Sequence, residues 1–143
     1  MAALVDTNIL VHRYDPRFPD KQAIATEVLG RGIAEHSMGL PHQAVVEFMA
    51  AVTRPLAGTG PLLEHADALR EAEDLLVAFP IVYPSSDVVR TALRGAAAYR
   101  IDWFDAHLRA HAEVYGFGER LPEDFQHDRL YGTVRVINPF LDG

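Results

Sequence analysis

The sequence predicts an α/β fold in which a mostly parallel sheet is covered by helices. Three observations lead there. Short apolar runs of strand length recur at Ala2–Val5, Ser37–Leu40, Ile81–Tyr83, Phe117–Leu121 and Val134–Ile137. The stretches between them carry helical periodicity or helix caps, and strands alternating with helices favour a parallel sheet. The chain has 143 residues, 49% of them apolar and 23% charged, which suits one domain with its own core. The expected organisation is therefore a single unit over residues 1–143.

The elements follow in order. Ala2-Ala3-Leu4-Val5 is apolar and stops at Asp6-Thr7-Asn8, three residue types that favour N-caps, so a strand runs into a helix start. Asp15-Pro16-Arg17-Phe18-Pro19-Asp20 is a turn-rich loop, and a helix follows through Ile24, Val28 and Leu29. After the second strand, Pro41 opens a helix as a first-turn residue and Arg54-Pro55 closes it. Pro61 to Phe79 reads as the clearest helix, with Leu62, Ala66, Leu69 and Leu76 on one face. Pro84 stops the third strand, and Ser85-Ser86-Asp87 caps a helix running to about Tyr99. Another helix spans about Asp102 to Tyr115 and ends at Gly116; Asn138-Pro139 closes the last strand.

Composition excludes several classes. There is no cysteine, so no disulfide scaffold, Cys-ligated zinc site or thiol nucleophile. No apolar run approaches the ~18 residues needed to span a bilayer, and the N-terminus lacks a basic signal-peptide region. The expectation is a cytoplasmic protein without a membrane segment. With 20 acidic and 13 basic residues the net charge is −7, so bulk attraction will not hold nucleic acid. Lys21 is the sole lysine beside twelve arginines. Arginine forks onto phosphate, but a GC-rich genome produces the same bias.

Four acidic positions stand out. Open α/β sheets place ligands at the carboxyl ends of their strands. Asp6 sits at such an end, and Asp124 follows another if Phe117–Leu121 is a strand. Glu47 is the only charge in Ala44-Val45-Val46-Glu47-Phe48-Met49-Ala50-Ala51-Val52. It lies off the stripe of Val45, Phe48, Met49 and Val52, so a solvated face explains it as well as a site does. Asp102 and Asp105 share the first turn of one helix, where the helix dipole favours acids, and Asp102 reads as the cap. Glu123-Asp124 after Pro122 also fits a simple turn. Taken singly, none of these acids exceeds what surface chemistry requires.

Taken in order, they resemble the PIN-domain nucleases, most closely the VapC-type ribonuclease toxins of type II toxin–antitoxin pairs. The resembling segments are Val5-Asp6-Thr7-Asn8, the isolated Glu47, Trp103-Phe104-Asp105-Ala106, Glu123-Asp124-Phe125-Gln126-His127 and the tail Val134-Arg135-Val136-Ile137-Asn138-Pro139-Phe140. They span nearly the whole chain. The resemblance implies a three-layer α/β/α fold, with Asp6, Glu47, Asp105 and Asp124 as the catalytic and metal-binding acids. Thr7 and Asn8 would support Asp6, while Asp102 and Glu123 are further candidates at the pocket. Two positions depart from the family's pattern. Pro122 stands where a Ser or Thr is common before the last acid, and Asp102 where a small hydroxyl residue is common.

Four carboxylates gathered in one pocket need a compensating cation, and oxygen donors without cysteine favour Mg²⁺ or Mn²⁺. Such an ion offsets the repulsion an acidic chain exerts on a phosphodiester and activates water for attack on phosphorus. The implied activity is endoribonuclease cleavage that leaves a 5′-phosphate and a 3′-hydroxyl. In the implied roles Asp6 is the central ligand, Asp105 and Asp124 are further ligands, and Glu47 ligates or orients water. The resemblance also implies an antitoxin partner covering the pocket, and a homodimer. The amphipathic helices between Pro41 and Phe79 are a candidate docking surface, although plain core explains their stripes too.

Three rival readings are weaker. His107 and His111 have the i, i+4 spacing of zinc ligands but lack the glutamate of His-Glu-x-x-His and a third ligand. A dehalogenase-type phosphatase needs a second Asp where Asn8 stands. Both it and a response-regulator receiver need a late lysine, whereas Lys21 comes early. The strongest alternative is a catalytically weak PIN-like domain that acts by binding protein or RNA. Retention of all four acids disfavours it.

Overall fold

Asp6, Ser85 and Asp102 each cap a helix with their own side chain. Asp6 accepts from the Thr7 amide, Ser85 from the Val88 amide and Asp102 from the Asp105 amide. These caps fix where the chain turns from strand or loop into helix, and they sit where the sequence places helix starts. The computed structural model describes residues 3–117, 119–121, 130–131, 134–136 and 139–140.

Within these residues the order is β1 (Ala3–Val5), α1 (Thr7–His12), α2 (Pro19–Glu35), β2 (Met38–Pro41), α3 (His42–Thr53) and α4 (His65–Ala78). Then come β3 (Ile81–Val82), α5 (Ser86–Tyr99), α6 (Trp103–Val114), β4 (Glu119–Leu121), β5 (Leu130–Tyr131) and β6 (Val134–Val136). The strands form one sheet in the order β3-β2-β1-β4-β6-β5. All neighbours pair in parallel except β5 with β6. The mostly parallel α/β fold predicted from the sequence is thus the observed one.

β1 occupies the middle. Ala3 pairs with Met38 and Leu4 with Gly39 on one side, while Val5 pairs with Leu121 on the other. Successive side chains of a strand face opposite ways, and β1 shows the consequence. Ala3 and Val5 join a core with Ile9, Leu10, Leu29, Leu40, Phe48 and Leu75, so α1 to α4 cover that face. Leu4 points the other way, into a cluster with Val82, Leu108 and Ala112 of α6. α5 packs on α6 through Val88, Ala92 and Ala110. Helices therefore cover both faces of the sheet. Gly39 is required by close approach: a Cβ there would lie 2.7 Å from the Phe117 ring.

Three local expectations need correction. Pro41 ends β2 and precedes α3 as its N-cap residue rather than sitting in the first turn, because its carbonyl-side geometry is extended (ψ 145°). The helix expected from Pro61 begins at His65. Its Leu69 and Leu76 are each 50% exposed, while Ala68, Leu75 and Phe79 make the core contact. Leu62, expected on the same stripe, lies in the loop before α4 and packs partly buried on the core. The short β5 carried no recognised signal.

Candidate active site

β1 and β2 deliver candidate groups to one edge of the sheet. The first residue after β1 is Asp6, and α3 begins directly after β2 and carries Gln43 and Glu47. β4 ends at Leu121, opposite Val5 of β1. This is the carboxyl edge, where open α/β sheets hold ligands.

Asp6 is half-buried, and its Oδ1 accepts the Thr7 amide at 2.7 Å. Thr7 is buried (6% exposed), and its hydroxyl donates to Glu47 Oε2 at 3.1 Å. The other Glu47 oxygen, Oε1, accepts from the Gln43 side-chain amide one turn earlier. Glu47 is therefore not on a solvated face. Thr7 clips it to the turn that carries Asp6, across forty positions of sequence. Hydrogen-bond donors on both oxygens hold the carboxylate in one orientation.

α6 supplies the next groups. Asp102, exposed, is the N-cap, as its position suggested, and its Oδ1 accepts the Asp105 amide at 2.9 Å. Asp105 is half-buried in the first turn. Two residues on, the half-buried His107 has its basicity lowered chiefly by burial, and the negative charge of Glu47 opposes that effect. The start of α6 and the middle of α3 thus approach the same region. Asn8 is exposed on α1. Asp124 and Glu123 lie outside the described residues.

The structure brings Asp6, Thr7 and Glu47 together directly, with His107 near Glu47. Among the described residues, no three His, Asp or Glu side chains cluster closely enough to hold a metal ion. The available donors at this edge, two carboxylates and a hydroxyl, are all oxygen, which is the chemistry of a hard divalent cation rather than of zinc held by sulfur. The His107–His111 pair takes a packing role. The rings meet edge to face at 4.4 Å, His111 is fully buried, and its Nδ1 pairs with the His107 carbonyl at 2.8 Å. Burial holds the His111 imidazole below the usual histidine range. Sequence reasoning missed the contribution of Gln43, though an amide four residues before a carboxylate on one helix is a recognisable pair.

Comparison with known proteins decides the family. The PIN-domain model matches residues 3–121, which includes β1, α3, α6 and β4. The chain belongs to the PIN-domain family. PIN domains are nucleases, hydrolases that act on nucleic acids. No curated protein matches. Among solved structures, this PIN domain is similar to a toxin–antitoxin complex from Klebsiella pneumoniae, at 19% identity and TM-score 0.68, covering 96% of this chain and 98% of that one. FitAcB from Neisseria gonorrhoeae gives 20% identity and TM-score 0.68, with 96% and 98% covered. VapBC2 from Rickettsia felis, bound to a DNA fragment from their promoter, gives 12% identity and TM-score 0.67, with 95% and 97% covered. At these identities the likeness is one of fold.

Proposed function

We propose that this chain is a divalent-metal-dependent endoribonuclease and the toxin of a toxin–antitoxin pair. The observation that carries the reading is the Asp6–Thr7–Glu47 clip at the carboxyl edge of a PIN-domain sheet. The three similar solved structures include toxin–antitoxin complexes, which supports the biological role.

Asp6 and Asp105 would hold Mg²⁺ or Mn²⁺ together with Asp124, and Glu47 would ligate or orient water beside them. The cation, when bound, supplies charge neutralisation at the phosphodiester and lowers the pKa of water. The protein's own part is orientation. Thr7 and Gln43 fix both oxygens of Glu47, so this carboxylate can accept a proton or a water hydrogen from one direction. Burial of Thr7 keeps bulk water from competing for that hydrogen bond. The products would be a 5′-phosphate and a 3′-hydroxyl. The partners would be RNA and a cognate antitoxin, with a homodimer in the cytoplasm.

The direct test incubates the purified protein with total RNA and Mg²⁺, with and without excess chelator, and maps the new ends. Cleavage with the chelator absent, loss of it with the chelator present, and 5′-phosphate ends are expected. Cleavage that persists in the chelator, or RNA left intact by Mg²⁺-loaded protein, rejects the enzyme reading in favour of a binding module. Growth arrest on expression, relieved by co-expressing a cognate antitoxin, checks the toxin role.

A finer test addresses the clip. Thr7→Val keeps shape and burial but releases Glu47 Oε2. Loss of a hydrogen bond that orients a site group costs roughly 10- to 100-fold in activity. That fall should appear in kcat, with thermal melting little changed. Wild-type kcat in Thr7→Val would remove Thr7 from the mechanism.

A further inference from the structure

Trp103, His107 and His111 on α6, with Tyr115 as its C-cap residue, recur at i+4 spacing, so the four rings form one stripe along the helix. Neighbouring centroids are 6.0, 4.4 and 6.5 Å apart. The inner two rings are wholly or partly buried, whereas Trp103 is 42% exposed at the end next to Asp105. A second exposed pair stands where β2 and β3 end. Tyr83 is 55% exposed, and its ring lies 5.2 Å from that of His42 at an angle of 30°. His42 immediately precedes Gln43, the partner of Glu47, and His107 beside Trp103 feels the Glu47 charge. Trp103 therefore opens the helix that carries Asp105, while the Tyr83–His42 pair stands beside α3, which carries Glu47, and the Tyr115 hydroxyl at the far end of α6 donates to the Tyr83 carbonyl.

Resting on the ribonuclease reading, we propose that Trp103 and Tyr83 are stacking surfaces for unpaired bases of the RNA strand entering at Glu47. The charge of the chain favours this mode of binding. At −7, with 20 acidic residues against 13 basic ones, the protein gains little from bulk phosphate attraction, and stacking on flat rings is a source of affinity that needs no positive charge. Every base offers a π-face, so the surfaces select single-stranded over duplex RNA and tolerate many sequences. The rings are planar and interleaved with histidine rather than forming an aliphatic groove, which suits bases better than an apolar protein helix.

Trp103 is the sole tryptophan, so its emission reports the contact directly. The Asp6→Asn protein in Mg²⁺, in which cleavage is suppressed and the remaining acids keep their counter-ion, is titrated with a single-stranded oligoribonucleotide, with the matching duplex and with inorganic phosphate. Quenching by the single strand alone is expected, with a weak dependence on salt. Anisotropy of a labelled single strand, under the same conditions, then compares variants. Trp103→Leu and Tyr83→Leu should each weaken Kd by about five-fold or more, the scale of one lost base stack, and Trp103→Phe should recover most of it. An unquenched tryptophan, or a Kd unaltered by Trp103→Leu, overturns the proposal and leaves the exposed rings as a protein-docking face. The readout does not depend on cleavage. Quenching, with no nuclease activity in the wild-type protein, would sink the enzyme reading and keep the stacking surface.

Discussion

Asp6→Asn should abolish RNA cleavage while leaving the fold intact. Two jobs meet on this side chain, and asparagine separates them. As N-cap of α1, Asp6 accepts the Thr7 amide, and Asn caps as well as Asp. As a candidate metal ligand it supplies negative charge, which Asn does not. We expect activity to fall by about a thousand-fold or more, the range seen when an essential charged group is removed from a site. Circular dichroism and the melting temperature should match wild type. Asp6→Ala is the contrast, since it loses the cap as well and should cost about 1 kcal/mol of stability. A well-folded Asp6→Asn protein with wild-type cleavage would remove Asp6 from the chemistry and, with it, the four-acid assignment.

How much of this was legible in the sequence depends on the range of each interaction. Caps are local: Ser85 and Asp102 act on amides three residues away, and both were readable from residue type alone. Strand ends were readable because apolar runs stop at polar residues, which gave Asp6 its place at the carboxyl edge. The bond from Thr7 to Glu47 was not readable, because only the parallel pairing of β1 with β2 brings those segments together. The sequence left Glu47 undecided between solvent and site for the same reason. Leu69 and Leu76 misled in the opposite direction. Periodicity marks an apolar face but does not say what covers it, and Ala68 and Leu75 make the actual contact with the core. Asp124 was placed by its position after the Phe117–Leu121 run and by resemblance, and both it and Glu123 lie outside the described residues.

Glu113→Ala should destabilise the protein more than replacement of the arginine it serves. Arg109 on α6 is 3% exposed, packed between α6 and α5 with its guanidinium 5.0 Å from the Tyr99 ring. Its Nη1 donates to Glu113 Oε2 at 2.9 Å, Nη2 reaches the Thr91 carbonyl at 3.5 Å, and Nε is buried without a hydrogen-bond partner among the described residues. Removing Glu113 leaves a buried cation with no carboxylate beside it, a change that costs about 2–3 kcal/mol when water reaches the pair in part. Arg109→Met removes the charge and the orphan Nε together and fills much of the same space, so its cost should stay within about 1 kcal/mol. The two effects then cannot be additive. In the Arg109→Met background, Glu113→Ala has no buried charge left to strand and should be nearly neutral. Gly95 extends the logic. A Cβ there would sit 2.7 Å from Nη2, so Gly95→Ala should be costly beside Arg109 and tolerated beside Met. Urea midpoints at constant m for the single and double variants measure each step. Equal losses from Glu113→Ala in both backgrounds would show that the carboxylate stabilises α6 by some route other than the buried arginine.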